Sequence, residues 1–171
     1  MSAPACTIRF GRPSDVPTIY SLIKGLAEYE RLSDEMVGTE ELLREHLFGT
    51  RPYAEVLIAE AGDKAVGFAL FFHNYSTFLT RPGIYLEDLF VLPDERGRGY
   101  GKALLTSLGR LAVERGCGRL EWSVLDWNEP SIQFYRSLGA VGMDEWTIER
   151  VTGDALVRLA NQAPEIVRDA V

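Results

Sequence analysis

Hydrophobic positions follow two different periodicities along the chain, and their order predicts the fold. Apolar residues three or four positions apart are typical of helices, whereas alternating or continuous runs rich in β-branched and aromatic residues are typical of strands. Helices are expected at 14–31, 38–49, 99–116, 129–139 and 153–162. Strands are expected at 6–11, 53–61, 64–76, 83–92, 119–127 and 140–150.

Capping and turn residues support several of these boundaries. Ser14 is a candidate N-cap of the first helix, while Thr39 and Gly49 would begin and end the second. Gly62 and Asp63 form a turn signal between two strand-like runs. The three middle strands are therefore expected to form an antiparallel meander.

The order of elements predicts a mixed α/β (α+β) fold. A β-α-β-α-β sequence follows the meander, which favours a central sheet with helices on both faces. The 171 residues show no repeat or linker, so one domain is expected over 1–171, with a core at about 7–160 and a frayed tail at about 163–171.

Composition excludes several classes of function. The net charge of −7 argues against nucleic-acid binding. The apolar run at 66–72 is too short to span a membrane, and the first residues lack a secretory signal pattern. Cys6, Cys117, His46 and His73 have neither disulfide-framework nor metal-ligand spacing. A cytoplasmic protein without a metal site is expected.

The segment RGRGYGK, residues 96–102, resembles a nucleotide-binding loop. A P-loop would need glycine where Arg96 stands and a hydroxyl where Ala103 stands. A dinucleotide fingerprint would need glycine at Lys102 or at Leu104. Exact spacing therefore excludes both common phosphate-binding motifs.

The remaining pattern is Arg-x-x-Gly-x-Gly, formed by Arg96, Gly99 and Gly101 between a strand and a helix. Glycines there let consecutive backbone N–H groups face one concavity, and the helix N-terminus attracts an anion. This pattern favours a pyrophosphate as the ligand. The alternative is a tight turn with solvated arginines.

A second motif, WNEPSIQFYRSLGA, occupies 127–140. Asn128, Ser131 and Tyr135 are spaced i, i+3 and i+7, so they lie on one face of the expected helix. The alternative reading makes Asn128 an N-cap and Tyr135 a core aromatic.

Together the two motifs resemble the GNAT N-acetyltransferase superfamily. LIKGLAEYE (22–30) and YLEDLFV (85–91) further resemble its diamine (spermidine/spermine) and thialysine N-acetyltransferase subfamily. The resemblance implies a GNAT fold in which two central strands splay apart to bind acetyl-CoA. It also implies a homodimer in which C-terminal strands contribute to both active sites.

The resemblance assigns the cofactor site residue by residue. Main-chain groups of Leu89 and Val91 would pair with the pantetheine arm, and the loop would hold the pyrophosphate. The implied cofactor-binding residues are Leu89, Phe90, Val91, Arg96, Gly97, Arg98, Gly99, Tyr100, Gly101, Lys102, Asn128 and Ser131.

Amine acetylation needs a proton acceptor, because an amine of pKa near 10.4 is about 99.9% protonated at pH 7 and only its free base attacks a thioester. Glu87 and Asp88 are adjacent, so in a strand they point to opposite faces. The resemblance favours Glu87 as the base and Asp88 as a substrate-binding group. A backbone N–H near Leu89 would stabilise the oxyanion, and Tyr135 would protonate the thiolate.

The resemblance also places Tyr29 and Glu30 against the amine substrate. The segments 73–83 and 136–139 differ from the animal spermidine enzymes, so a diamine, a polyamine, thialysine or a related small cationic amine stays open as acceptor. Two alternatives are a protein lysine or N-terminal acetyltransferase and a non-catalytic acyl-CoA-binding regulator. The regulator would need neither Glu87 nor Tyr135.

Overall fold

The computed structural model describes residues 6–166, which divide into two compact units between Ser123 and Val124. The strands of the first unit are β1 (Cys6–Phe10), β2 (Glu55–Ala61), β3 (Lys64–Ser76), β4 (Arg81–Val91) and β5 (Leu120–Trp122). Its helices are α1 (Val16–Glu30), α2 (Glu40–Phe48) and α3 (Tyr100–Glu114). The second unit contains α4 (Glu129–Ser137) and α5 (Gly153–Ala160).

The five strands form one sheet in the order β1-β2-β3-β4-β5. The first three pairings are antiparallel, which confirms the meander, and β4 pairs with β5 in parallel. The register of β3 and β4 shifts between Leu70, which faces Asp88, and Phe71, which faces Leu86. Glu87 is therefore the extra residue of a β-bulge in β4.

One face of the sheet packs against α1 and α2. Alternate residues of a strand point to the same face, which explains why Val56, Ile58, Phe68 and Phe90 share this side. The buried cluster formed there consists of Ile19, Leu22, Leu26, Leu47, Val56, Ile58, Phe68 and Phe90. Its members from α1, Ile19, Leu22 and Leu26, recur at three- or four-residue spacing and so line one side of that helix, while Leu47 comes from α2.

The opposite face packs against α3, which contacts β1 through β5. The intervening strand residues, including Phe71, Ile84 and Leu86, are buried on this side. Leu104, Leu108 and other apolar residues of α3 are buried as well. Helices thus cover both faces of a mixed, mostly antiparallel sheet, which confirms the predicted fold class. The single-domain assignment stays a prediction.

The strand expected at 140–150 is wrong: these residues form no strand in the described chain. A strand needs a neighbour for its backbone hydrogen bonds, and none of residues 6–166 pairs with this segment. Its apolar side chains Val141, Met143, Trp146 and Ile148 are exposed. The strand expected at 119–127 is shorter than predicted, since pairing ends at Trp122.

The capping predictions had mixed outcomes. Thr39 accepts a hydrogen bond from the backbone N–H of Leu42 (3.3 Å) and begins α2, as predicted. Ser14 does not cap α1, which begins after Asp15. Residues Pro13–Asp15 instead form a 3-10 turn before α1, and the Asp15 carboxylate accepts hydrogen bonds from Arg9 and from the backbone N–H of Arg12.

Candidate active site

The candidate active site begins where β4 and β5 separate. Their pairing ends at Leu86 and Trp122, and the Glu87 bulge follows at once. Within residues 6–166 no strand lies beside β4 beyond Leu86, so this part of β4 has a free edge. The Tyr85 hydroxyl and the Ser123 hydroxyl form a hydrogen bond (2.8 Å) at the base of the opening.

Main-chain groups of Leu89 and Val91 face this free edge. Leu92 donates its N–H to Val66 of β3 (2.9 Å), and Phe90 O lies against Gly67. Because successive peptide groups of a strand point to opposite sides, those of Leu89 and Val91 point away from β3. They are therefore oriented to pair with an extended chain entering the opening.

Three carboxylates form an acidic group at the side of the opening covered by α1. Asp88 pairs with Leu70 and lies two residues from Phe90, which places it on the face that α1 covers. Burial, together with the charges of Glu87 and Glu30, raises the pKa of Asp88 to about 6. Burial also raises the pKa of Glu30 at the end of α1. Glu87 is exposed in the bulge.

The glycine-rich loop leads directly into α3. Gly97 and Gly99 have φ angles of 75° and 89°, a region that glycine adopts without strain. A Cβ atom at either position would meet no heavy atom of the described chain within 4 Å, so a ligand can approach this backbone closely. Gly99 is the N-cap of α3, whose first N–H groups have no partner within the helix. The loop therefore fits a pyrophosphate.

The charged side chains of the loop differ in their surroundings. The Arg96 Nε donates to Val91 O (3.0 Å), and the guanidinium lies over the ring of Tyr29, 4.4 Å from its centroid. Arg98 pairs with Glu95 (2.8 Å), whereas Lys102 is exposed. Arg96 thus joins the start of the loop to the end of α1.

Two details of the loop were missed by the sequence analysis. The side chain of Tyr100 is buried in the core, so only its backbone is available to a ligand. The contact between Arg96 and Tyr29 also had no signal in sequence, because the two residues belong to separate motifs. Their contact depends on how α1 crosses the sheet.

The second unit carries the remaining predicted residues on α4. Asn128 is the N-cap, and its side-chain oxygen accepts a hydrogen bond from the Ser131 N–H (3.4 Å). Pro130 lies in the first turn, as is common for helix starts. Tyr135 lies beside Phe134, with ring centroids 5.3 Å apart. Capping by Asn128 is thus observed, and Ser131 and Tyr135 lie on the helix that it begins.

The described residues also bear on metal binding and on membrane insertion. Residues 6–166 contain no group of three or more His, Cys, Asp and Glu side chains placed to hold a metal ion. In the same part of the chain no helix combines the length and the apolar character needed to cross a bilayer. Cys6 and Cys117 are both free thiols.

Comparison with known proteins identifies the family. Residues 19–140 match the model of the acetyltransferase (GNAT) family. The thialysine N-epsilon-acetyltransferase of Bos taurus is 38% identical over 166 residues, covering 91% of this chain and 97% of that protein. The L-ornithine N5-acetyltransferase NATA1 of Arabidopsis thaliana is 36% identical over 194 residues, covering 87% and 85%.

Solved structures agree in fold. An integron cassette protein from the mobile metagenome of V. cholerae superposes with a TM-score of 0.77 at 26% identity, covering 92% of this chain and 98% of that one. The ribosomal-protein-alanine N-acetyltransferase of Brucella melitensis superposes with a TM-score of 0.69 at 22% identity, covering 87% and 100%. The chain therefore belongs to the GNAT family of N-acetyltransferases, enzymes that use acetyl-CoA as cosubstrate to acetylate amines.

Proposed function

We propose that the acceptor is a small cationic amine, a diamine, a polyamine, thialysine or a similar molecule, which attacks acetyl-CoA directly in a ternary complex. The observation that carries this proposal is the group of Glu30, Glu87 and Asp88 beside the opening of β4. Three carboxylates close together attract a cation and repel an anion. The names of the thialysine and ornithine acetyltransferases among the relatives support the same class of acceptor.

Each carboxylate has a distinct part in this proposal. Asp88 and Glu30, both on the α1 side, bind the substrate cation, and Tyr29 next to them contacts its carbon chain. Glu87 accepts the proton that the ammonium must lose before it attacks. Its exposure in the bulge supports transfer through a water molecule.

The cosubstrate supplies an activated acetyl group when it is bound. Leu89 and Val91 offer main-chain hydrogen bonds along the free edge of β4, with the side chain of Phe90 behind them in the core. A backbone N–H near Leu89 stabilises the oxyanion that forms on attack. The loop from Arg96 to Lys102 binds the pyrophosphate through its backbone and the N-terminus of α3.

The proposal also gives roles to residues of α4. Asn128 and Ser131 contact the cosubstrate, and Tyr135 protonates the departing thiolate. A phenol of pKa near 10 is protonated at neutral pH and is therefore ready to act as the acid. Direct attack needs no covalent enzyme intermediate, so neither Cys6 nor Cys117 takes part.

We further propose that the enzyme is a homodimer. Large apolar side chains of the second unit are exposed in the single chain, among them Val141, Met143, Trp146 and Ile148. Monomeric proteins rarely expose a large contiguous apolar surface, so several such side chains close together in one segment support a contact between two copies. Location in the cytoplasm stays a prediction.

A thiol-release assay tests the acceptor class. Purified protein and acetyl-CoA are incubated with diamines, polyamines, thialysine, ornithine, lysine and lysine-containing or N-terminal peptides. Turnover of free amines in preference to peptides supports the proposal, whereas preference for peptides favours a protein acetyltransferase. Tight acetyl-CoA binding without turnover of any amine or peptide would contradict both.

A further inference from the structure

Arg96 lies between the two sides of the proposed site, and its side chain makes contacts that its place in the loop does not require. Its Nε atom donates a hydrogen bond to Val91 O (3.0 Å), and its guanidinium lies over the ring of Tyr29, 4.4 Å from the centroid. The same guanidinium lies 5.6 Å from the ring centroid of Phe90. One side chain thus contacts both β4 and the last turn of α1.

The contact with β4 lies on the free edge of that strand. Leu92, the next residue, donates its N–H to Val66 of β3, so the N–H and C=O of Val91 point away from β3. Val91 O is therefore an acceptor that a neighbouring strand would otherwise use, and Arg96 occupies it. The Arg96 side chain closes the edge at the point where the proposed pantetheine contacts end and the phosphate loop begins.

The contact with α1 involves the last turn of that helix, which approaches the sheet closely. Gly25 lies one turn before Tyr29, and a Cβ atom at Gly25 would lie 3.1 Å from the ring of Phe90. Residues four apart share one face of a helix, so Gly25 and Tyr29 both face β4. The glycine allows α1 to pack directly on Phe90, and this packing brings the Tyr29 ring into contact with Arg96.

The end of α1 adopts a conformation that its own sequence does not favour. Arg31, the residue that ends the helix, has φ and ψ angles of 61° and 35°, a left-handed conformation that is uncommon for residues other than glycine. Its N–H donates to Glu28 O (3.2 Å), and the Leu32 N–H donates to Ala27 O (2.8 Å). Such a conformation persists where surrounding contacts hold it, and the guanidinium stacked on Tyr29 is one of these contacts.

The Arg96 side chain acts through its shape as well as its charge. Within residues 6–166 the neighbouring Arg98 pairs with Glu95, whereas none of the ion pairs includes Arg96. A planar guanidinium can stack on an aromatic ring and donate a hydrogen bond from its edge at the same time, which the ammonium of a lysine cannot do. Arginine at this position is therefore suited to joining a ring on α1 to a carbonyl group on β4.

We propose that Arg96 is a positioning residue that couples the two substrate sites: the bound cosubstrate fixes the loop, and the Arg96 side chain in turn fixes the end of α1 through Tyr29. The inference rests on the proposed function, which places Tyr29 and Glu30 against the acceptor and assigns the pyrophosphate to the backbone of the loop. Each substrate should then raise the affinity of the enzyme for the other by the same factor, because such coupling is reciprocal.

Amide hydrogen exchange followed by NMR tests the coupling without any turnover. The probe is CoA at a saturating concentration, which titration calorimetry verifies for each protein. In the native protein CoA should slow exchange of the loop amides and, by about fivefold or more, exchange of the Arg31 and Leu32 amides that end α1. In Arg96→Met the loop should stay protected, while the effect of CoA on Arg31 and Leu32 should disappear.

Two further variants and a control test the same contact. Tyr29→Leu removes the ring without changing the loop, so CoA should again protect the loop alone, and this variant decides the question if Arg96→Met does not bind CoA. Arg96→Lys keeps the charge, which suffices for a phosphate but not for the stacked geometry, so the same loss is expected. Lys24→Met removes a cation that lies 4.8 Å from the ring centroid of Tyr20 on the same helix, and it should leave the effect of CoA unchanged.

Steady-state kinetics tests the consequence for the acceptor. Putrescine, spermidine and thialysine serve as probes, and the one with the fastest turnover is used. Arg96→Met should raise the acceptor KM by about fivefold or more, but by less than about twofold when Tyr29→Leu is already present. This non-additivity is expected only if the two side chains act as a pair.

The outcomes distinguish this inference from the proposed function. If CoA leaves the exchange of Arg31 and Leu32 unchanged in the native protein, the coupling is rejected. Protection of these two amides that persists in Arg96→Met, Arg96→Lys or Tyr29→Leu would overturn it as well, as would additive effects on the acceptor KM. If the native protein acetylates no amine, the proposed function fails, and amide exchange alone still decides whether Arg96 couples the loop to α1.

Discussion

The folded protein holds the Asp88 carboxyl group in an environment that disfavours its charged form. Its pKa is raised from 3.8 to about 6, first by burial and then by the charges of Glu87 and Glu30. The folded protein therefore binds more protons than the unfolded chain between these two values. The stability contributed by protonated Asp88 is complete below pH 3.8 and is lost as the pH rises through 6.

Asp88→Asn should therefore stabilise the protein at pH 8 by about 1–3 kcal/mol, with little gain near pH 4. Denaturant unfolding at several pH values measures the difference. The control is Asp63→Asn, at the exposed turn between β2 and β3, where burial cannot produce such a gain. A gain at position 88 that does not change with pH would contradict the electrostatic explanation.

Glu87→Gln tests the proposed base. General-base catalysis contributes on the order of 10²- to 10⁴-fold to a rate, so kcat should fall by a comparable factor, and the limb of the pH–rate profile that reports the base should shift or disappear. The affinity for acetyl-CoA should stay unchanged, because the proposal gives Glu87 no part in holding the cosubstrate. An unaltered profile would reassign proton removal to Asp88.

Tyr135→Phe tests the proposed acid and removes one oxygen atom. We expect kcat to fall by about 10²-fold or more while acetyl-CoA affinity changes little, since the ring is retained. Phe134→Leu, beside it on α4, is the matched control for local packing. If the hydroxyl deletion leaves kcat at the native value, Tyr135 is not the acid.

At the scale of elements, one ion pair connects the end of α3 to the start of β2. Both terminal nitrogens of Arg115 donate to Glu55 (2.6 and 2.8 Å), and the guanidinium lies over the ring of Phe71. Hydrogen bonding from Arg115 lowers the pKa of Glu55. The stability that this pair adds is present above the unfolded pKa of Glu55 and is lost as the pH falls through the lower folded value.

Arg115→Met should destabilise the first unit by about 1 kcal/mol at pH 7, a modest figure because both side chains are roughly one-third exposed. The deficit should shrink as the pH falls through the lowered pKa of Glu55 in the native protein, where its carboxylate becomes protonated. Arg110→Met breaks an exposed pair within α3 and serves as the control, with a change near zero. A loss of stability that is equally large at acidic pH would show that the effect of Arg115→Met comes mainly from lost packing on Phe71.

The sequence predicted elements well where their pattern is local. The strand at 64–76 was predicted with its observed bounds, and Thr39 caps α2 as its residue type indicates. The prediction of a strand at 140–150 was wrong because the alternation of apolar and polar residues cannot reveal whether a neighbouring strand exists to pair with it. The β-bulge at Glu87 could not be predicted for a related reason: it is a property of the register between β3 and β4.

The sequence likewise predicted those parts of the candidate site that consecutive residues form. The loop and the Glu87–Asp88 pair were located by motif, since consecutive residues carry them. The contact of Arg96 with Tyr29 and the close approach of Gly25 to Phe90 join residues that are distant in sequence. Only the packing of α1 on the sheet brings them together, so composition and spacing could not reveal them.

At the scale of the whole molecule, the exposed apolar residues of the second unit predict self-association. Burying such side chains against another copy removes apolar surface from water, at about 25 cal/mol per Å². Sedimentation velocity at micromolar concentration should therefore give twice the mass of one chain. Trp146 and Ile148, which are 75% and 70% exposed, should contribute to the contact.

The double variant Trp146→Ser with Ile148→Ser is expected to shift the sedimentation profile toward the monomer and to weaken association by tenfold or more, since two large apolar side chains are removed. Tyr53→Ser, a change of an aromatic residue of the first unit that is 63% exposed, should leave the dimer intact. A native protein that sediments as a monomer would contradict the proposed dimer. If the double variant becomes monomeric and keeps its kcat, the active site is complete within one chain. If kcat falls together with association, the exposed segment contributes to catalysis through the dimer.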